Sequence, residues 1–149
     1  MTATVLVAGA GGQLGRELAR TAGPGIRLAA LQRAELDIAD SAAVADCLAR
    51  MKPTQVINAA AYTGVDSAES EPEEARRTNA EGPAVLARAC ADAGIRLLHV
   101  STDFVFDGTA STPYAPDAPT APLGEYGRSK LTGEQAVIGI MSDALVLRT

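Results

Sequence analysis

Thr4-Val5-Leu6-Val7-Ala8-Gly9-Ala10-Gly11-Gly12-Gln13-Leu14-Gly15 is the stretch that decides the fold. Thr4 to Ala8 is a short β-rich run, the glycines follow without a spacer, and Leu14, Leu18 and Ala22 then recur at helical spacing. The order is strand, tight turn, helix. Gly9, Gly12 and Gly15 fit G-x-x-G-x-x-G, with Gly11 as a fourth glycine, instead of the commoner G-x-G-x-x-G. One reading is a plain tight turn. The other is a phosphate-binding turn, in which missing side chains let backbone N–H groups and the helix N-terminus approach a pyrophosphate. Placement directly after the first strand favours the second.

The same alternation continues along the chain. Arg27–Leu31 is a second apolar run, and Ser41–Met51 reads as a helix capped by Ser41 or Asp40 and stopped at Lys52-Pro53. Gln55–Ala61 is a third strand. Pro72 to Ala93 reads as one long helix bent near Gly82-Pro83, with Gly94 as its C-terminal cap. Ile95–Ser101 is a fourth strand, Asp107–Gly124 a loop rich in Pro, Gly, Ser and Thr, Glu125–Ile138 a helix and Ala144–Arg148 a fifth strand. Strands joined by helical crossovers predict an α/β domain over residues 1–149, a Rossmann-type doubly wound parallel sheet with helices on both faces. Ligands in such a sheet lie at the carboxyl ends of the strands.

Composition agrees. At 149 residues, 47% hydrophobic and 3% aromatic without Trp, the core must be built from Ala, Val, Leu and Ile, which suits strands alternating with Ala-rich helices. A net charge of −5 without a basic stripe argues against nucleic acid. No apolar run is long enough for a membrane span and the N-terminus lacks a signal-peptide pattern, so a cytoplasmic protein is expected. Cys47 and Cys90 stand singly in helical stretches, and the chain has one His, so buried thiols are expected and a metal site is not.

Where an acidic residue would bond the ribose of NAD at the end of the second strand, this chain has Gln32-Arg33. Arg33 either pairs with a 2′-phosphate, favouring NADPH over NADH, or is a solvated surface side chain. Asp37 either bonds the adenine amine or caps a helix. Tyr126 and Lys130 are four residues apart, on one helical face, where an ammonium would lower the phenol pKa and fit Tyr126 to pass a proton to a carbonyl oxygen. The plain alternative is an exposed amphipathic helix. Thr102, at the end of the fourth strand, is placed to be a second donor. His99, inside that strand, reads as a packed histidine without a role, and the acidic run Asp66 to Glu74 as the start of a helix.

Together GAGGQLG, NAAAYTGVDSAESEP, STDFVFDG and YGRSKLTGE resemble the dTDP-4-dehydrorhamnose reductase family, among the extended short-chain dehydrogenases, from the first strand to Thr149. The resemblance implies a catalytic set of Thr102, Tyr126 and Lys130, with Asp103 beside Thr102 near the sugar. It implies cofactor contacts from Gly12, Gln13 and Leu14, from Asp37 and Ile38, from Ala61, Tyr62 and Thr63, and from Tyr126 and Lys130, beside the turn glycines Gly9 and Gly15. The implied reaction is NAD(P)H-dependent reduction of dTDP-4-dehydro-β-L-rhamnose to dTDP-L-rhamnose; some members use other nucleotide sugars, some bind Mg²⁺, and many are homodimers. Phe104 stands where a Tyr is frequent. Members are about twice as long, with a C-terminal sugar-binding part absent from this chain, which leaves a truncated inactive fragment as one reading. The family also resembles the NADP-binding regulatory subunit of methionine adenosyltransferase, a non-catalytic alternative.

Overall fold

Val5, Leu6, Val7 and Ala8 are all buried, so the first strand, β1 (Ala3–Ala8), is covered on both faces and belongs inside a sheet. The computed structural model, which describes residues 3–149, places it there. β2 (Ile26–Leu31) lies on one side of β1, and β3 (Gln55–Asn58), β4 (Arg96–Ser101) and β5 (Leu145–Arg148) follow on the other, all parallel, in the order β2-β1-β3-β4-β5. The chain runs outward in opposite directions from β1. The carboxyl ends of β1 and β3 therefore diverge into a crevice, the switch point at which doubly wound sheets bind ligands.

Local chemistry sets the helices between the strands. α1 (Gln13–Thr21) starts at Gly12 with no side-chain cap. α2 (Ser41–Met51) is capped by Asp40, not Ser41: the Asp40 carboxylate accepts from the N–H groups of Ala42 and Ala43, each at 3.0 Å. The acidic run does open helices, the short α3 (Val65–Ala68) and α4 (Pro72–Arg76). The long helix expected over Pro72–Ala93 is present and unbroken, with α4 running into α5 (Gly82–Ala93) through a wide π-turn over Arg77–Glu81, just before Pro83. Pro83 has no N–H for the Asn79 carbonyl, and the Gly82 N–H bonds back five residues to Arg77. α5 ends at Gly94, which has φ +64°; its N–H bonds Ala91 and that of Ile95 bonds Cys90, a Schellman closure. α6 (Glu125–Ile140) precedes β5.

The two faces of the sheet are unequally covered. α2, α5 and α6 pack on one another and on the row Leu6, Val56 and Leu97, with Val44, Leu48, Leu86, Cys90 and Val137 in the same core. Cys47 and Cys90 are buried there as free thiols. Right-handed crossovers put α1 alone on the other face. On that face Val7, Ile57, Leu98 and Leu145 are in register across four strands, and their covering thins from Val7, fully buried, to Leu145 at 58% exposed. β5 is held from the helical face, where Arg148 pairs with buried Glu134 of α6 at 2.6 Å.

A polar pair sits inside the helix-covered face. Asn58 and His99 are register partners on β3 and β4, both fully buried. The Asn58 Oδ1 accepts from the Ala60 N–H, so its Nδ2 donates to His99 Nδ1 at 3.1 Å. The imidazole is thereby neutral with its proton on Nε2. His99 is packed, as expected, and burial, with the charge of Lys130 adding, pushes its pKa down to about 3. The unfolded chain protonates this ring near its ordinary value and the folded chain does not. Stability is therefore lost as pH falls from about 6.5 toward 3. Urea unfolding at pH 7 and pH 5 should show a loss of about 2 kcal/mol from this group, and His99→Gln should remove that component of the slope; an unchanged slope would contradict the assignment.

Candidate active-site cleft

The crevice at the switch point is a cleft of about 1030 Å³. Its walls come from the segments after β1, β2 and β3, from the end of β4 and from the first turns of α6. A second hollow of about 710 Å³, between α2 and α5, shares no lining residue with it. Of the residues expected at a cofactor, Gly9, Gly12, Gln13, Leu14, Arg33, Asp37, Ile38, Ala61, Tyr62, Thr63, Tyr126 and Lys130 line the cleft. Gly15, Thr102 and Asp103 do not.

The glycines of the turn have two different uses. A side chain on Gly15 would strike the Gly9 carbonyl and come within 2.6 Å of the Ala10 Cα, and one on Gly9 would come within 2.5 Å of the Ala60 nitrogen. Those two glycines are needed by the fold itself. Side chains on Gly11 and Gly12 would meet nothing closer than 3.5 Å and 3.4 Å respectively, so the packing does not exclude them; both residues line the cleft floor. The floor is thus bare backbone leading into the first turn of α1, whose N–H groups have no side-chain cap. That is a cradle for a diphosphate.

At the second-strand rim, Arg33 donates to Glu74 of α4 at 2.6 Å. Asp37 accepts from the Ala39 N–H and from Arg77 at 2.7 Å, and the Arg77 guanidinium holds its carboxyl below the usual range. Both ion pairs tie the segment after β2 to the helix after β3. Neither pairing was legible in the sequence, because the partners are some forty residues apart.

β3 ends at Asn58, short of the expected Ala61, because the Asn58 side chain takes the Ala60 N–H. The freed segment forms a wall of the cleft and is gripped by Asn79 of the π-turn. Asn79 is fully buried, accepts from the Tyr62 N–H at 2.8 Å, and donates to the Tyr62 carbonyl and to Ser129 Oγ, each at 3.0 Å. The wide turn that Pro83 causes is therefore what positions this clamp. Sequence reading missed Asn58, Asn79 and Ser129. An Asn within an otherwise Ala-rich helical run was the one local signal.

At the opposite end, α6 brings Tyr126 and Lys130 to the cleft from one face. Lys130 is almost fully buried and its Nζ donates to the Val100 carbonyl at 2.7 Å. Burial lowers its pKa to about 8 against the opposing charge of Glu134. Tyr126 differs from expectation. Its phenol is held above its ordinary value, chiefly by burial, with a hydrogen bond to Thr102 opposing and the Asp103 charge adding. Lys130 is not among the groups that shift it. Thr102, buried, accepts from the Phe104 N–H at 3.2 Å and faces the exposed Asp103 at 3.4 Å. The Phe104 ring meets Tyr126 edge-on at 5.5 Å.

Among the described residues no group of three or more His, Cys, Asp or Glu is placed to hold a metal. No helix of the described residues is long and apolar enough to cross a membrane.

Comparison with known proteins agrees with this geometry. Residues 3–149 match the family described as the RmlD substrate binding domain. The dTDP-4-dehydrorhamnose reductase of Mycobacterium tuberculosis (strain ATCC 25618 / H37Rv) is 51% identical over 150 residues, which cover 97% of this chain and 49% of that protein. The reductase of the same name from Streptomyces griseus is 47% identical over 146 residues, covering 97% of this chain and 48% of its own. The crystal structure of dTDP-4-dehydrorhamnose reductase from Bacillus anthracis str. Ames in complex with NADP superposes with a TM-score of 0.96 at 34% identity, over 99% of this chain and 53% of that one. The chain spans about half the length of the curated relatives it matches. With that match taking in the glycine turn, the Asn79 clamp and the tyrosine–lysine pair alike, the chain belongs to the RmlD substrate binding domain family.

Proposed function

We propose that this chain is the dinucleotide-binding half of an NAD(P)H-dependent reductase acting in the cytoplasm on the 4-keto group of dTDP-4-dehydro-β-L-rhamnose to give dTDP-L-rhamnose, a precursor of bacterial surface polysaccharide. The observation that carries this reading is a single cleft with an uncapped helix N-terminus over bare glycines at one end and a tyrosine and a buried lysine at the other. The residues present fit a nicotinamide dinucleotide. Gly11, Gly12, Gln13 and Leu14 would hold the diphosphate, and Arg33, Asp37 and Ile38 the adenosine. Ala61, Tyr62, Thr63 and Lys130 would hold the nicotinamide ribose. Arg33, in place of an acidic residue, favours NADPH over NADH.

Bound there, the reduced nicotinamide supplies a hydride to the keto carbon. The chain's own residues handle the proton. Because burial holds the Tyr126 phenol above its ordinary value, it stays protonated at neutral pH, which suits a group that must give a proton to the keto oxygen as the alcohol forms. The Thr102 hydroxyl, fixed by the Phe104 N–H, would polarise the same oxygen beside Asp103. Lys130, fixed by the Val100 carbonyl, keeps a cation beneath the site. Family resemblance adds a homodimer to the proposal.

NADPH and NADH titrations followed by addition of dTDP-4-dehydrorhamnose should show binding and slow oxidation of the reduced cofactor. The rate should fall by about 10² or more in Tyr126→Phe; binding without Tyr126-dependent oxidation would remove the catalytic part of the reading, and no binding would remove all of it. Gly12→Ala should cost about 1 kcal/mol of stability or less and yet weaken dinucleotide binding at least about tenfold, since its methyl stands on the cleft floor. A plain structural turn would leave binding unchanged.

A further inference from the structure

The second-strand rim of the cleft carries two cations, Arg33 and Arg77, and three carboxylates, Glu35, Asp37 and Glu74. Their partners divide them. Glu35 accepts from the Gln32 N–H at 2.8 Å, and Asp37 is taken by Arg77 and the Ala39 N–H. Arg33 is the more open of the two guanidinium groups, its side chain 65% exposed against 38% for Arg77, and its one ion-pair partner is Glu74, at 2.6 Å. Glu74 comes from α4, across the rim, and is not itself a cleft-lining residue.

The segment after the second strand is where a doubly wound sheet meets the adenosine ribose. A 2′-phosphate arriving there needs the Arg33 fork, and one arm of that fork, Nη2, is already given to Glu74. A phosphate dianion offers more charge and more acceptor oxygens than one carboxylate, so exchange is favourable. The carboxylate displaced by that exchange loses its ion pair with Arg33. A ribose 2′-hydroxyl carries no such cost, since it leaves the Arg33–Glu74 pair closed.

We propose that Glu74 is a specificity-determining residue that competes with a ribose 2′-phosphate for Arg33, holding the preference for a phosphorylated over an unphosphorylated dinucleotide below what Arg33 alone would give. This inference rests on the dinucleotide-binding reading above. Adjacent Glu73 provides the control: it pairs with Arg76 at 2.8 Å, is 83% exposed, and carries the same charge at nearly the same distance along the helix.

Dissociation constants for NADPH and NADH, read by the fluorescence of the reduced nicotinamide in low salt, test it on the chain and on E74Q, R33A, E73Q and the E74Q/R33A double variant. An exposed pair of this kind predicts that E74Q raises the ratio of NADPH to NADH affinity about threefold to fivefold. The gain should vanish in the R33A background and in high salt, and E73Q should leave the ratio unchanged. An unaltered ratio in E74Q, an equal gain for both dinucleotides, or a gain that survives in R33A would each overturn the proposal while leaving dinucleotide binding intact. Failure of the unsubstituted chain to bind either dinucleotide would overturn the reading beneath it and the proposal together.

Discussion

Where β1 ends, the backbone of Gly9 passes so close to that of Ala59 and Ala60 that no side chain fits between them. This close approach brings the turn after β1 and the exit from β3 side by side, although α2 and all of β2 separate them in sequence. The geometry of the cleft follows from it. Gly9 turns at φ +86° and Gly15 tucks beneath it, so α1 starts at the crevice with its first N–H groups facing inward. Two glycines of the turn are thus spent on packing, which leaves Gly11 and Gly12 as the bare floor.

Buried polar groups hold the rest of the cleft in place. The Asn58–His99 pair couples β3 to β4 beneath the floor, and Asn79 fastens the Tyr62 backbone to the π-turn and to Ser129 of α6. Lys130 is anchored on the Val100 carbonyl at the end of β4. Each of these groups is costly to bury alone and acceptable only with its partner in place, so the walls of the cleft and its chemical groups are fixed by the same bonds. A neutral histidine with depressed pKa and a lysine titrating near pH 8 are the electrostatic consequence.

The sequence made the five strands, the glycine turn, the Gly94 cap and the shared face of Tyr126 and Lys130 legible, because each depends on local periodicity or on a residue's own conformational limits. Its errors have two physical causes, side-chain and proline effects that redirect a nearby backbone bond, and partners that are distant in sequence. The strand expected to reach Ala61 stops at Asn58 because a side chain takes the next N–H, and the helix expected to bend at Pro83 widens into a π-turn that delivers Asn79 to Tyr62, 17 residues away. The phenol of Tyr126 is raised instead of lowered chiefly because it is buried, which no helical-wheel argument includes. Arg33 was legible as a cation at the cleft edge, but Glu74 was not legible as its partner.

On the proposed function, the crevice between β1 and β3, and not the hollow between α2 and α5, receives a dinucleotide. Backbone ¹H–¹⁵N NMR of the chain titrated with NADP⁺ addresses it residue by residue. Saturable shifts are expected at Gly11, Gly12, Gln13 and the Ala61–Thr63 segment, with the amides of Ala45, Leu48 and Ala89 unmoved. Shifts centred on Ala45, Leu48 and Ala89, or no shifts at all at saturating NADP⁺, would contradict it.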